Sequence, residues 1–220
     1  VELGDISILV VLSALLLTNV YRMYRLTVVS RGISFTTYIG ELIRTVVPHF
    51  LTQVRMLKCN RNTLNWIMHI LIVYGYATIF IFVIVFLDLF QTNVIYSIYN
   101  PIRLGGYIAS AALLIGAGYA IYGRLRKNAI MRQYSHSTDW FFLTLLYLVV
   151  ITGVLVDVFK YLGLPMETYI MYTVHLGFVT PLLVLEVPFA KWSHLAYRPF
   201  AIYFTRLNDL VKVKAVQTTA

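Results

Sequence analysis

Charge is scarce in this chain. Only 12% of its 220 residues are charged, against 60% hydrophobic and 15% aromatic. A soluble domain is about 25% charged and about 45–50% apolar. Half the usual charge cannot clothe a globular surface, which excludes a soluble fold, and so much apolar side chain excludes disorder. Cysteine is almost absent. Cys59 alone rules out a disulfide framework, a cysteine-ligated iron–sulfur cluster and a CxxCH haem attachment within the chain. Any redox chemistry must therefore use a cofactor held by other ligands. Internal repeats, low-complexity tracts and a separate soluble domain are lacking too, so residues 1–220 read as one integral membrane domain. Alternating segments of the β-barrel kind are missing, which leaves helices to satisfy the backbone in lipid.

What is present is a set of five long apolar runs, at residues 6–24, 64–90, 104–122, 140–161 and 169–190. A span needs about 20 apolar residues to cross ~30 Å of hydrocarbon. The expectation is an all-α bundle of five transmembrane helices. Glu2 and Asp5 stand where a signal peptide carries basic residues, so the first run reads as a span.

The net charge of +9 sorts by side. Arg22 to Arg61 lie between the first and second runs, Arg124 to Arg132 after the third, and Lys191 to Lys214 after the fifth. Of the 18 Lys and Arg, only Arg103 and Lys160 fall on the opposite side, with Glu2, Asp5, Asp88, Asp157 and Glu167. The positive-inside rule then puts the N-terminus outside and the C-terminus in the cytoplasm of a multi-pass cell-membrane protein. The basic excess marks topology, so nucleic acid is not an expected partner. Between the first two spans, residues 34–58 form a cytoplasmic amphipathic segment. Phe35, Tyr38, Ile39, Leu42, Ile43 and Val46 share helical spacing there, and Pro48 ends the run. It suits membrane anchoring or the docking of a cytoplasmic partner.

Five histidines, His49, His69, His136, His175 and His194, supply the ligand chemistry. Ionisable side chains inside a membrane are rare and usually functional, and neutral imidazole is an axial ligand of haem iron. His69 begins the second span on the cytoplasmic side, and His194 follows the fifth on the same side. At one depth they can face each other as the two axial ligands of a b-type haem. His175 lies 19 residues earlier, about 28 Å along an ideal helix, near the outer face. A histidine that simply hydrogen-bonds to a neighbouring helix is the plainer reading of each. Gly75 and Gly153, with Gly105, Gly106, Gly116 and Gly118, suit either a flat buried cofactor or close helix contact. Glu186, two residues before Pro188, is a carboxylate in lipid: a proton carrier for quinone chemistry, or a hydrogen-bonded filler of the proline kink. Lys191 and Arg198 flank His194 at the level of anionic haem propionates, where positive-inside charge alone also places them.

Three stretches carry a resemblance. NWIMHILIVYGYATIFIF at 65–82, STDWFFLTLLYLVVITGVLVD at 137–157 and HLGFVTPLLVLEVPFAKWSHLAYRPF at 175–200 resemble spans of the nitrate reductase gamma-subunit-like membrane cytochrome b family. The approach QVRMLKCNRN at 53–62 and the YGY element are similar to the branch holding the membrane subunits of heterodisulfide reductase and of the sulfite-reduction complex. The resemblance implies a haem b subunit that passes electrons between membrane quinone and a cytoplasmic-side iron–sulfur subunit, serving a complex rather than acting as a catalyst alone. It implies that His69 and His194 ligate one haem and that His175 ligates a second. The second ligand of that outer haem has no counterpart: the region holds Tyr76, Ile79 and Phe80. That haem is then absent, five-coordinate or differently ligated, or His175 meets the quinone head group. The competing reading is a haem-free membrane anchor or transporter-like scaffold.

Overall fold

Lipid offers no partner to a bare N–H or C=O, and the chain answers with helices. The computed structural model describes residues 2–27, 34–60, 62–86, 94–127, 133–190 and 193–219, and no strand occurs among them. In chain order the helices are α1 (Glu2–Thr27), α2 (Phe35–Val46), α3 (Arg55–Asn60), α4 (Thr63–Val85), α5 (Pro101–Leu125), α6 (Ser137–Tyr161), α7 (Pro165–Pro181) and α8 (Ser193–Thr219). Among the described residues four stretches are long and apolar enough to cross a membrane: Thr63–Val85, Pro101–Leu125, Ser137–Tyr161 and Pro165–Phe189. The protein is a multi-pass membrane protein. The expected second span runs on past Val85, and its last residues, 87–90, lie outside the described residues.

The chain divides into two compact units, residues 62–182 and residues 1–61 with 183–220. In the first, a side chain fixes the starts of α4, α5 and α6, and Pro165 opens α7. Asn62 accepts from the Leu64 and Asn65 amides at 3.0 and 3.3 Å, and Asn100 does the same for α5, ahead of Pro101. His136 caps α6: its Nδ1 accepts from the Thr138 amide while the Asp139 carboxylate accepts from the His136 amide. That is a structural use for one of the five histidines. At the other end of α6, Gly163 takes φ +69°, its amide donates to the Lys160 carbonyl, and the Leu164 amide donates to that of Phe159. This pair of bonds is a Schellman turn, and glycine is the residue that adopts it without strain. It reverses the chain so that α7 returns along α6.

Extended packing runs α4 on α5, α5 on α6 and α6 on α7; among the described residues no extended contact joins α4 to α7. Leu113, Ala117, Leu143, Leu146 and Val150 make the buried centre, all from α5 and α6. The glycines serve these contacts. A Cβ on Gly75 would stand 2.8 Å from the Ala109 carbonyl oxygen, and one on Gly116 would stand 2.7 Å from that of Met68. Of the two uses open to them, these two therefore serve close helix approach. Gly106 has open space around it.

In the second unit α2 packs on α8. The Tyr203 hydroxyl donates to the Tyr38 carbonyl at 3.1 Å, and Arg206 donates to the Arg44 carbonyl and the fully buried Thr45 hydroxyl. The amphipathic stripe expected over residues 34–58 is thereby split. Phe35, Ile39 and Ile43 stay exposed, while the Thr45 edge meets α8. Pro48 does end α2, but in a π-helical turn at Val47–Leu51 rather than a plain stop. Asn19 of α1 donates to the Tyr197 hydroxyl of α8 at 2.9 Å, and Tyr24 lies edge-on to Phe204.

Candidate functional site

The fifth apolar run is not one straight helix. Proline has no amide to donate, and its ring clashes with the carbonyl four residues back. Pro181 and Pro188 impose this twice, and between them the chain widens into a π-helical turn at Leu182–Glu186. Ala190 then leaves helical geometry altogether, at φ −120° and ψ −145°. His175 and His194 accordingly stand on separate helices, α7 and α8, and the ideal-helix spacing of 19 residues does not apply to them. The side chains of Lys191 and His194 lie outside the described residues, and so does the expected pairing of His194 with His69. Arg198 is exposed on α8, and Glu186 is almost wholly buried at the end of the π-helical turn.

His175 is described in full, and its setting is specific. The Thr152 hydroxyl of α6 lies 2.9 Å from His175 Nδ1. The same hydroxyl is 2.7 Å from the Leu148 carbonyl and 3.2 Å from that of Val149. A threonine hydroxyl owns one proton. With that proton given to its own helix, it can only accept from His175, so Nδ1 carries the ring's hydrogen and Nε2 carries the lone pair. Gly153 forms the seat beneath: a Cβ there would meet His175 Cε1 at 3.1 Å. Neutral, Nδ1-protonated imidazole is the form that ligates iron through Nε2. The donor chemistry at His175 therefore fits an axial ligand.

Helix contacts give relative depth. Gly116 of α5 meets Met68 and Ile72 of α4, and Gly75 meets Ala109 and Leu113. On the other side of α5, Arg103 and Tyr107 meet Asp157, whereas Gly118 faces Tyr147. Thr152 and Gly153 fall between those two contacts, so His175 stands level with the 109–113 stretch of α5 and, through it, with Gly75 and Tyr76 of α4. His69, half-buried in the second turn of α4, lies about 10 Å lower along that helix. The two histidines occupy different levels. At the level of His175, α4 presents buried Tyr76, stacked on Phe80 with centroids 5.9 Å apart.

One turn along α6 from Gly153 lies a cluster that sequence pattern does not reveal. Arg103 is buried and donates to Asp157 Oδ2 through Nε at 3.2 Å and Nη2 at 2.9 Å. Tyr107 donates to the same oxygen, and Arg103 Nη1 to the Tyr96 carbonyl. The guanidinium also lies 4.8 Å from the Tyr161 ring centroid. By sequence Arg103 is only one of two basic residues on the sparse side. The available signal was an arginine and an aspartate near the ends of consecutive antiparallel spans, which brings them to one level. Among the described residues no group of three or more His, Cys, Asp or Glu side chains gathers as a metal site.

Comparison with known proteins adds a relative. No protein-family model matches the chain, and no solved structure matches it. Over 124 residues it is 31% identical to a subunit of the dihydromethanophenazine:CoB–CoM heterodisulfide reductase of Methanosarcina thermophila, a match that covers 53% of this chain and 46% of that protein. The chain thus spans about half the length of the curated relative it matches.

Proposed function

We propose that this chain is the haem b membrane subunit of a respiratory oxidoreductase complex. It relays electrons between the quinone pool of the cell membrane and an iron–sulfur subunit on the cytoplasmic side. The observation that carries the reading is His175: a histidine in a membrane-crossing helix, fixed by Thr152 with Nε2 as its lone-pair nitrogen. Two further features support it. The helices bearing His69 and His175 make no extended contact with each other among the described residues, and the matched relative is by name a heterodisulfide reductase subunit.

In this reading α1 is a fifth span, the N-terminus faces outward and the C-terminus lies in the cytoplasm. His69 and His194 hold one haem, Lys191 and Arg198 pair with its propionates, and His175 holds a second. Bound haem supplies a one-electron carrier. The chain orients it, shields it from water and leaves the terminal substrate to other subunits. Glu186, buried at the end of the π-helical turn in the fifth run, takes or gives the proton that accompanies quinone turnover.

The test is a reduced-minus-oxidised spectrum of the purified complex with a pyridine haemochrome count. One or two haems b per chain is the expected result, with His194→Ala losing a low-spin component. Zero haem per chain overturns the proposal in favour of a haem-free anchor or scaffold.

A further inference from the structure

A histidine ligand has two nitrogens, and whichever one does not meet the metal must be told where to keep its proton. On α6 the telling is done by a residue whose own proton is already spent. Thr152 sits at 2.7 Å from the Leu148 carbonyl, so its oxygen faces His175 Nδ1 as an acceptor at 2.9 Å. The Val149 carbonyl, 3.2 Å from the same hydroxyl, is a second acceptor on the threonine's own helix for its proton. Gly153, the next residue, leaves the ring room that any side chain would fill, since a Cβ there approaches Cε1, Nδ1 and Nε2 to 3.1, 3.6 and 3.7 Å. Thr152 is itself buried, so water does not compete for the bond. Tautomer, ring plane and ring position are thus all set by two consecutive residues of a neighbouring helix.

We infer that Thr152 is the positioning residue of a haem ligand at His175, with Gly153 as the seat of its ring. The inference rests on the haem reading above, and goes beyond it in naming what orients the ligand. A hydroxyl that accepts from Nδ1–H makes Nε2 a stronger donor to ferric iron. Losing the acceptor should raise the midpoint potential of the haem held there and weaken its retention about 10- to 100-fold.

The experiment uses the full chain in its complex, comparing wild type with Thr152→Val, Thr152→Ser, Gly153→Ala and His175→Ala. Haem per chain, the low-spin electron paramagnetic resonance signals and a redox titration are read for each. His175→Ala should lose one haem. Thr152→Val, equal in shape but without the acceptor, should shift the signal and raise the potential of that same haem, and Thr152→Ser should restore both. Gly153→Ala should move the signal by displacing the ring, which keeps the inference testable if Thr152→Val fails to assemble. If Thr152→Val and Gly153→Ala match wild type while His175→Ala loses a haem, the positioning role falls and the ligand stands. If His175→Ala keeps full haem and an unchanged spectrum, the ligand assignment and the inference fall together. A wild-type complex without haem overturns the proposed function itself.

Discussion

Two polar clusters share α6, about one turn apart, and they are built to different ends. Around Asp157 the bonds close on themselves. Arg103 spends its guanidinium on the carboxylate, the Tyr96 carbonyl and the faces of Tyr107 and Tyr161. Around His175 the geometry commits one nitrogen: Nδ1 is held by Thr152, and Nε2 points away from that bond's partners. A charge buried in a low-dielectric interior is tolerable only when fully paired, and the first cluster has the form of a clamp between α5 and α6. An imidazole with one nitrogen fixed and the other bearing a lone pair has the form of a ligand. A complete network holds structure, and an incomplete one is where chemistry is to be sought.

The largest effect should come from opening the complete network. Asp157→Ala strands Arg103, whose side chain is only 10% exposed. Breaking a buried pair by removing one partner costs roughly 3–5 kcal/mol. The Asp157 side chain is 37% exposed, so the lower end, about 3 kcal/mol, is expected in thermal unfolding in detergent. Arg103→Leu should cost less, because the carboxylate it leaves is the better solvated partner. The double variant should be milder than the sum of the two. If Asp157→Asn instead leaves stability intact and abolishes electron transfer, the contrast between clamp and ligand breaks, and both clusters belong to the chemistry.

A middle-sized effect tests the packing that sets the levels of the two clusters. Gly116→Ala and Gly75→Ala each drive a Cβ into backbone, at 2.7 and 2.8 Å from carbonyl oxygens of the facing helix. Overpacking of this kind costs about 1–3 kcal/mol. Gly106→Ala meets nothing within 4 Å and should stay within about 0.5 kcal/mol of wild type, since the added methyl displaces no neighbour. Equal losses at all three would mean that glycine matters here for reasons other than close approach.

How far the sequence alone reached follows the range of the interactions involved. Apolar runs are local, so four of the expected spans return as membrane-length helices whose starts fall one to four residues earlier. The extensions come from caps such as Asn100 and His136, which lie beyond the apolar residues they start. A proline kink is legible at Pro188, and the π-helical turn between Pro181 and Pro188 is the form it takes. The ion pair of Arg103 and Asp157 joins residues 54 apart in sequence, and no local pattern encodes it. The same holds for Thr152 against His175: a threonine in an apolar run looks like filler until the facing helix is in place. Helix α8 is hard to read from sequence because its charges mask a stripe at helical spacing, in which Phe204 and Leu207 are buried and Tyr203 is half-buried.

The smallest effect concerns a third histidine, and it sharpens the contrast. His49, on the π-helical turn after α2, has a buried Nε2 without a hydrogen bond among the described residues. Burial, and after it the charges of Arg55, Arg206 and Arg198, hold its pKa below the ordinary value near 6.5. The fold therefore favours His49 as neutral imidazole. Above about pH 6.5 folded and unfolded chains are both neutral there, and stability does not depend on this residue's titration. As pH falls through that value the unfolded chain takes up a proton that the folded one refuses. Stability declines until the lower folded pKa is passed, and below it the loss is constant. His49→Gln should flatten unfolding measured between about pH 7 and 5, and an unchanged slope would assign the pH dependence to another group. A nitrogen in the field of three arginines repels a metal cation, whereas His175 has a hydroxyl and a glycine beside it. An unused nitrogen marks a ligand only where the surrounding field lets a cation approach.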